Sequence, residues 1–593
     1  MKHITLNHSD KVSNEEFRVT FVHAPDRGYA DTQQYGAKFM PVWAYTLASH
    51  ITETSHFRLS LHDCRFQKEH EIPEADVFLF SGINQDLSNL QRVRSDLKIR
   101  FPEVPSIIGG PICWSFNQAE SLELLEGFDH IFIGDGEDEI EGILDVIRQG
   151  AVLQGILRAK KRFPISDAVP FYRPMLDSTI ERYYGAVLEV SRGCPFLCEF
   201  CDIRVMENNN RAHNKSSELI IEELDHLCKL GVNQVLLACD NFIGDLNWAE
   251  EVIDKIIEWQ DKTSYRPALY TWLTVNLYKS KSLMMKMRRA GFDMLFIGVE
   301  SFNHNSLLET AKVQNSVLDM VSVLREIQSY GFIIVAGLIF GFDSDEEDCF
   351  DLTLKGLKDA ALLSGDPSLL EALPGTPLYR RIKLAGRLRE EADFGLGSYK
   401  YHTNIKYLMP RNSLVEGYMG FIKNFTDGKY QLERLKSYFN LLKEKNNFVP
   451  LDTKGYGNLG LFFKMIITNK AAFIQMCQRI GRFLSVPKNI LFLLIGLYYT
   501  LKNRKIKGVL GYFQFWLFAW TNAILKYKHL SDIDFDIDSV DKNFDIMNIL
   551  PKGYESTADE LIPKQKIHAQ ARVTKKMLKN VINNRLKSKA HEV

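Results

Sequence analysis

From Phe17 to about residue 150, the chain alternates short apolar runs with longer amphipathic stretches. Four runs, FRVTFV, ADVFLF, SIIGG and HIFIG, have the length and continuous apolar character of buried strands. Glycine-containing stretches follow the last three of them: SGINQ, GGP and GDGEDE. The alternation predicts a doubly wound parallel sheet over residues 1–150, with a ligand beyond the carboxyl ends of its strands.

The alternation resumes after residue 183. Strand-like runs are AVLEVS, QVLLACD, LYTWLTV, MLFIGVE, FIIVAGLIFG and PSLLEAL, separated by amphipathic stretches. One such stretch ends at Gly331 and places on one helical face Val317, Met320, Val321, Leu324 and Ile327. Residues 184–390 are therefore predicted to form a partial (β/α)6 barrel. Residues 151–183 contain three prolines and little periodicity, which predicts a linker.

Beyond residue 390 the pattern is helical, and we divide it into a helical extension (391–530) and an acidic connector with a basic tail (531–593). The uncharged run from Asn489 to Leu501 is shorter than the roughly 20 residues that cross a bilayer. For residues 489–520 a buried or self-packing helical pair is favoured. Peripheral membrane contact, through this stretch and the basic tail, and an apolar substrate cavity are the alternatives.

Charge and cysteine content narrow the class of protein. Lys and Arg total 73 against 74 Asp and Glu, so no overall field indicates a nucleic-acid partner. Nine cysteines are too few for a disulfide framework, and no secretory leader is seen at Met1, so a reducing, cytoplasmic location is expected. The stretch SDIDFDIDSVD lacks the glycine and glutamate of a calcium loop and is predicted to be a solvated connector. The basic tail is predicted to be a solvated, partly disordered helix.

The segment VSRGCPFLCEFCDI carries the most specific chemistry. Cys194, Cys198 and Cys201 follow the first strand of the second array, and three thiolates on one loop can hold three irons of a four-iron cluster. Zinc is the alternative, but no second cysteine pair follows. The remaining downstream cysteines lie in apolar patterns and are expected to be core residues: Cys228, Cys239, Cys349 and Cys477.

The CxxxCxxC motif, with Phe200 before its last cysteine, resembles the signature of radical S-adenosylmethionine (SAM) enzymes. The resemblance implies that SAM binds the open iron of a 4Fe-4S cluster and is cleaved to a 5'-deoxyadenosyl radical. It also implies that Glu300 binds the ribose and that Gly337 and Gly341 approach the adenine. Asp240 and Asn241 stand where the family usually carries a glycine-rich motif, a departure from its pattern. Phe200 completes the predicted SAM site.

The N-terminal sheet, placed before this domain, resembles the cobalamin-binding domain of the largest methylase class in the superfamily. The resemblance implies that the cobalamin is held by Ser81, Gly82, Gly109, Gly110, Gly134, Gly136 and Glu137. No DxHxxG motif is present, so we expect the lower face of cobalt to carry water or no ligand.

Several motifs together resemble the subgroup that includes hopanoid methylases: SRGCPFLCEFCDI, DNFIG, KVQN, GFDSD and ALPGTPLY. This implies methyl transfer from methylcobalamin to an unactivated carbon of a small molecule, lipid or isoprenoid in character. A flavodoxin or ferredoxin would supply electrons, and no nucleic acid is involved. The alternatives are a non-methylating rearrangement or cyclisation and a non-catalytic iron–sulfur protein. A methylthiotransferase is disfavoured because a second cluster motif and a basic RNA-binding patch are lacking.

Overall fold

The computed structural model describes residues 16–26, 39–52, 56–316, 319–389, 401–444, 446–451, 470–527, 535–551 and 564–591. Within these ranges the chain forms two six-stranded parallel sheets, followed by a mainly helical C-terminal region. The predicted α/β class with parallel sheets and a helical C-terminal region is confirmed. Val317, one of the residues assigned to an amphipathic helix face, lies outside the described residues.

The first sheet has the strand order β2-β1-β3-β4-β5-β6. Its strands are β1 (Phe17–His23), β2 (Phe57–Asp63), β3 (Val77–Ser81), β4 (Ser106–Gly109), β5 (His130–Ile133) and β6 (Ile156–Arg158). Alternate residues of β1 face opposite sides: Phe21 joins one apolar core and Val22 another. The helices are Val42–Ser49, Leu87–Arg100, Pro111–Gln118, Ile140–Arg148 and Arg173–Thr179.

Two strands of this sheet differ from the sequence prediction. β2 was not predicted, because FRLSLHD mixes polar and apolar residues and the strand lies at the sheet edge. β6 falls inside the predicted linker and forms the opposite edge, where its two terminal residues are exposed. Edge strands bury less surface than central ones, so their apolar pattern is weaker. The segment 151–183 therefore belongs partly to the first sheet.

The second sheet has the sequential order β7-β10-β11-β12-β13-β14. Its strands are β7 (Ala186–Glu189), β10 (Gln234–Ala238), β11 (Ala268–Leu273), β12 (Phe292–Glu300), β13 (Ile333–Phe340) and β14 (Ser364–Leu369); β8 (Ser191–Arg192) and β9 (His213–Asn214) form a hairpin beside it. All six predicted strands are present. The helices are Ser217–Lys229, Leu246–Thr263, Lys281–Ala290, His304–Glu309, Val313–Ser316, Met320–Ser329, Cys349–Asp359 and Pro377–Leu384.

Local sequence explains where these helices begin and end. The Asp245 side chain accepts hydrogen bonds from the backbone N–H groups of Asn247 (3.1 Å) and Trp248 (3.2 Å), which starts the helix Leu246–Thr263. Gly331 adopts a φ of +102° just after the helix Met320–Ser329, as predicted. Short 3₁₀ helices occur at Glu69–Glu71, Asn84–Asp86, Leu122–Leu125, Ile165–Asp167, Ile180–Arg182, Asp202–Val205, Val275–Lys279 and Ile546–Ile549.

The C-terminal region consists of helices around a two-stranded parallel sheet, β15 (His402–Tyr407) with β16 (Asp536–Ser539). The helices are Arg411–Thr426, Gly428–Glu444, Lys470–Leu484, Pro487–Lys502, Val509–Lys526 and Lys564–His591. Trp516 and Trp520 are fully buried, together with Ile333 of the second sheet. Within the described residues no single helix could span a membrane, although the bent pair Met476–Leu484 and Pro487–Lys502 would be long and apolar enough if taken together.

Three expectations for this region were wrong. Part of the predicted solvated connector is β16, with Phe535 and Ile537 buried, because alternating apolar residues in an acidic stretch suit a strand. The basic tail is helical but not merely solvated, since Leu578 and Ile582 pack in a small core with Ile549. Cys477 is exposed rather than a core residue. The other three downstream cysteines are buried as expected.

Candidate functional site

The three cysteines lie on the loop between β8 and β9, the two strands of the hairpin that follows β7. Gly193 begins this loop with a φ of +89°, and a Cβ there would lie 2.0 Å from the Arg211 carbonyl oxygen, so only glycine fits. The Gly193 N–H donates to Asp240 Oδ2 at 2.5 Å, and the Cys194 N–H donates to the Asn209 carbonyl at 2.9 Å. The first bond ties the loop to the end of β10, and the second joins two parts of the loop.

Cys198 is buried, whereas Cys194 and Cys201 are half-buried. Burial raises the pKa of the Cys194 thiol to about 11 and that of Cys201 well above its ordinary value. Gln314 Nε2 donates to Cys198 Sγ at 3.5 Å. Within the described ranges, no three His, Cys, Asp or Glu side chains group closely enough around one point to hold a single metal ion. A four-iron cluster takes its cysteines at separate iron atoms instead.

A buried ion pair lies beside the loop. Glu300, at the end of β12, pairs with Lys312, whose ammonium lies 5.7 Å from the centre of the Phe200 ring. Burial disfavours the charged form of Lys312, but Glu300 and the nearby cysteines outweigh it and raise the pKa of Lys312. Glu300 has a φ of +64° at an irregularity in the β12–β13 pairing. Such strain in a non-glycine residue is typical of functional positions.

Three buried amides around the loop have polar atoms without a protein partner. We call Asn241, Gln314 and Asn315 the amide set. Neither amide atom of Asn241, which is 1% exposed, has a hydrogen-bond partner in the described structure. The side-chain oxygens of Gln314 and Asn315 are likewise unpartnered there. Buried polar atoms are nearly always hydrogen-bonded, so these atoms indicate a ligand.

The glycines predicted to approach adenine have different surroundings. Gly337, in β13, would place a Cβ 3.7 Å from Glu300 Oε2, so it lies beside the Glu300 carboxylate. Gly341 has a φ of +99°, and a Cβ there would lie 2.6 Å from the Tyr407 ring. The space beside Gly341 is therefore filled by a side chain of β15. Gly298 matters as well, because a Cβ there would meet both Glu300 and Lys312.

A second group of charges supports the loop from behind. Glu199, between Cys198 and Phe200, accepts hydrogen bonds from Arg381 at 2.9 and 3.1 Å. Arg381 also donates to Asp343 at 2.7 Å, and Arg387 donates to both Asp343 oxygens. These residues and Glu309, all buried, form what we call the Arg381 cluster. Arg387 and Arg381 hold the pKa of Asp343 well below its usual range despite burial.

A cavity of about 390 Å³ lies where the carboxyl ends of the two parallel sheets meet. From the first sheet it is lined by six of the predicted cobalamin residues: Ser81, Gly109, Gly110, Gly134, Gly136 and Glu137. From the second sheet it is lined by Asp240 and Trp272, among others. Burial raises the pKa of Asp240 to about 6. Gly82 is not among the lining residues; its α-carbon packs against Leu90 instead.

Charged residues along the cavity connect the two sheets. Arg192 of β8 donates to Glu137 at 2.5 Å and to Glu189 at 2.8 Å. Arg162 donates to Asp135 at 2.6 Å. Burial raises the pKa of Glu137, and the neighbouring Arg192 guanidinium opposes this shift by favouring the charged carboxylate. We call these five residues the Arg192 network; its glutamates and arginines fix the first sheet against the second.

Sequence reasoning missed several residues of this site. Lys312, Gln314 and Asn315 lie in the KVQN motif, which was noted without a role for each residue. Arg381 lies in the PLYRR segment, 182 residues from its partner Glu199. Arg192 lies within the cysteine motif itself, beside Gly193. No local periodicity marks such residues, because their partners come from distant strands.

Two family models match the chain. Residues 188–357 match the radical SAM superfamily, and residues 376–487 match a domain of unknown function (DUF4070). The second match begins just before Arg381. The first covers the cysteine loop, Glu300 and β13.

Known proteins are similar over longer stretches. Hopanoid C-2 methylase from Rhodopseudomonas palustris is 25% identical over 390 residues, covering 64% of this chain and 70% of that protein. The structure of TsrM from Kitasatospora setae, a radical SAM methyltransferase with cobalamin and a [4Fe-4S] cluster bound, aligns with a TM-score of 0.52 and 13% identity, covering 73% of this chain and all of TsrM. OxsB, a cobalamin-dependent SAM radical enzyme with aqua-cobalamin bound, aligns with a TM-score of 0.54 and 16% identity, covering 90% of this chain and 83% of OxsB. The two structures share this chain's fold.

Proposed function

We propose that the chain is a cobalamin-dependent radical SAM enzyme that transfers a methyl group to an unactivated carbon of a small molecule. The match of residues 188–357 to the radical SAM superfamily and the fold shared with TsrM and OxsB support this. One observation carries the proposal: the cavity between the two sheets adjoins the cysteine loop through Asp240, which lines the cavity and binds Gly193. Ligands of open α/β sheets bind at this edge.

The residues around the loop fit a 4Fe-4S cluster. Cys194, Cys198 and Cys201 are its proposed ligands, and their half-buried to buried positions limit the access of solvent to an oxygen-sensitive group. The Lys312 ammonium, charged and buried nearby, offsets part of the negative charge that three thiolates would bring.

The amide set and its neighbours fit SAM. Asn241 offers one donor and one acceptor group that nothing else in the described structure engages, and Asp240 precedes it. An amino acid carries an ammonium and a carboxylate, which need an acceptor and a donor respectively. We assign Asp240, Asn241 and Phe200 to SAM, with Glu300 at the ribose and Gly337 and Gly341 near the adenine.

The cavity fits part of a corrin cofactor. Gly109, Gly110, Gly134 and Gly136 present backbone to the cavity, and a Cβ on Gly109 would have no neighbour closer than 3.9 Å. Small residues at this edge allow close approach of a large planar ligand. Ser81 and Glu137 add a hydroxyl and a carboxylate.

When bound, the cluster supplies the electron that cleaves SAM, and cobalamin carries the methyl group. The chain's own contribution is positioning. The Arg192 network holds the two sheets together, and the Arg381 cluster holds the cysteine loop. Such fixed separation matters because near-attack geometry supplies much of the rate. Trp43 and Trp272 give the cavity part of its apolar lining.

The substrate proposed is a lipid-like or isoprenoid molecule, and the similarity to a hopanoid methylase supports this class. A flavodoxin or ferredoxin is the proposed electron donor. We place the reaction in the cytoplasm, because a chain with no disulfide framework fits a reducing compartment. We also propose peripheral contact with a membrane.

Anaerobic purification with added hydroxocobalamin tests the proposal. We expect an absorption spectrum with both cluster and cobalamin bands, cleavage of SAM to 5'-deoxyadenosine, and a product heavier by one CH2 unit. The Cys198→Ala variant should keep cobalamin and lose the cluster. A cluster without cobalamin would remove the methylase proposal and leave the proposed radical SAM chemistry intact.

A second candidate is a cobalamin-dependent radical reaction without methyl transfer. The fold shared with OxsB, named as a radical enzyme rather than a methyltransferase, favours it. Product mass separates the two: a rearrangement leaves the mass unchanged.

A further inference from the structure

The exposed apolar side chains of this protein are concentrated in one segment. Half of the large hydrophobic side chains that are exposed in the described structure lie between residues 473 and 510. On the helix Pro487–Lys502 they are Ile490, Leu491, Leu494, Leu497, Tyr498 and Leu501. This spacing of three and four residues puts all six on one face.

The inward side of the same helix combines small and polar residues with Phe492, Leu493 and Tyr499, which pack against the core that contains Trp516. Gly496 packs against the Trp516 ring, where a Cβ would lie 3.0 Å away. Thr500 is fully buried and donates to the Gly496 carbonyl at 2.8 Å, and Asn489 donates to the Phe483 carbonyl at 3.1 Å. The helix is therefore apolar on its outward face as well as toward the protein, whereas a surface helix of a water-soluble protein turns charged and polar residues outward.

Charge is segregated in the same region. Residues 470–527 contain nine Lys and Arg and no Asp or Glu, whereas the whole chain has a net charge of −1. Lys488 is exposed at the start of the helix, and Lys502, Arg504, Lys505 and Lys507 are exposed at its end. An apolar stripe flanked by cations complements an anionic lipid surface.

The geometry favours lying on a bilayer over crossing one. The helix Pro487–Lys502 has 16 residues, about 24 Å of helix, and the hydrocarbon core is about 30 Å thick. The preceding helical segment, Met476–Leu484, meets it at 100°. Ile480 and Leu484 continue the exposed apolar surface onto that segment, and Phe473 extends it further along the same helix, Lys470–Leu484.

We propose that the exposed side chains of residues 473–510, the 473–510 surface, dock on an anionic lipid bilayer. The apolar stripe of Pro487–Lys502 enters the headgroup region, and the turn from Lys502 to Lys507 pairs with lipid phosphates. This inference rests on the membrane contact proposed above and assigns it to specific residues. The second half of the apolar stretch 489–520 is excluded from the contact, because Trp516 and Trp520 are buried in the protein. Docking uses none of the cofactor-site residues, so it stands or falls independently of methyl transfer.

Co-sedimentation of the reconstituted full chain with vesicles tests the proposal. We expect binding to phosphatidylcholine vesicles containing phosphatidylglycerol and weaker binding to phosphatidylcholine alone. Leu491→Glu with Leu494→Glu should lower the partition coefficient at least about tenfold. Arg504→Gln, Lys505→Gln and Lys507→Gln together should lower it about tenfold or more at low salt, while leaving the apolar face intact. Ile99→Glu, at an 81% exposed position of the first domain, is the matched control and should bind as the parent does.

Absence of binding to anionic vesicles, or unchanged binding by both variants, overturns the proposal. Light scattering measures whether the surface instead binds a second copy of the chain. If the parent is a dimer, does not bind vesicles, and is dissociated by Leu491→Glu with Leu494→Glu, the surface is a dimer interface. Formation of 5'-deoxyadenosine in solution should be equal in all variants. If neither the parent nor any variant forms 5'-deoxyadenosine, the result would count against the proposed function and not against docking.

Discussion

Two sets of buried polar residues surround the cysteine loop, and they differ in how their polar atoms are satisfied. In the amide set, Asn241 has no partner for either amide atom. In the Arg381 cluster, Glu199 and Asp343 are held by two arginines. Burying polar atoms costs free energy unless they are hydrogen-bonded. The first set therefore needs a ligand to be complete, whereas the second is complete without one and supports the loop.

Two buried asparagines, Asn241 and Asn404, also differ in whether their side-chain amide atoms have hydrogen-bond partners. Asn404 is 1% exposed, like Asn241, but it exchanges two hydrogen bonds with the Ala372 backbone, at 2.9 and 2.7 Å. Asn404 therefore has a structural role, whereas the equally buried Asn241 has unsatisfied hydrogen-bonding groups. Burial alone does not separate the two roles; the hydrogen-bond partners do.

The largest expected effect comes from the residues that both sets surround. Replacing Cys194, Cys198 or Cys201 singly by alanine should abolish SAM cleavage, because a cluster held by two protein ligands is not retained. Iron content, the electron paramagnetic resonance signal and 5'-deoxyadenosine formation measure this. Cys349→Ala, at a buried cysteine away from the loop, is the control and should retain all three signals. Retention of the cluster in the loop variants would refute the proposed ligands.

Breaking the Arg381 cluster should cost stability. Arg381→Met leaves the Glu199 carboxylate buried without its guanidinium, and loss of one partner of a buried ion pair costs about 3–5 kcal/mol in the free energy of unfolding. Urea denaturation followed by circular dichroism measures it. Lys358→Met breaks the solvent-accessible pair with Glu433 and should cost about 0–1 kcal/mol. Equal denaturation midpoints for the two variants would contradict the structural role of the cluster.

Replacing Asn241 and replacing Asn404 should have opposite effects on SAM binding and on stability. Asn241→Leu should raise the KM for SAM about 10- to 100-fold and leave stability equal or higher, because it removes two unpaired polar atoms. Asn404→Leu should leave the KM unchanged and cost about 1–3 kcal/mol, because it strands the Ala372 backbone. SAM-dependent 5'-deoxyadenosine formation and urea denaturation give the two readouts. If Asn241→Leu instead destabilises the protein with no change in KM, the amide set is structural.

The smallest expected effect lies in the cavity. Gly109→Ala adds a methyl group whose nearest neighbour is 3.9 Å away, so the fold should be unaffected while cobalamin binds several-fold more weakly. Gly110→Ala is the contrasting variant: its Cβ would meet Ser81 Oγ at 2.3 Å with φ at +86°, so it should lower stability as well. Absorption titration with hydroxocobalamin and thermal denaturation distinguish them. Unaltered cobalamin affinity in Gly109→Ala would remove Gly109 from the cofactor site.

Much of the framework followed from local sequence. Continuous apolar runs predicted the central strands of both sheets, since those strands are buried on both faces. The spacing of Cys194, Cys198 and Cys201 predicted one ligand-bearing loop. The edge strands β2 and β6 and the paired strand β16 were not predicted, because their residues are only partly buried and their apolar pattern is interrupted.

The sequence by itself determined the central strands of both sheets, the cysteine loop and the glycines at the strand ends, because each depends on residues that are neighbours along the chain. Only the tertiary structure decided that Arg381 supports Glu199, that Asn241 is left unpaired while Asn404 is not, and that the apolar face of Pro487–Lys502 points outward. Those outcomes depend on which distant groups meet in space. The hydrogen bonds and the orientation of a helix face are set by those contacts, so the local sequence carries no signal for them.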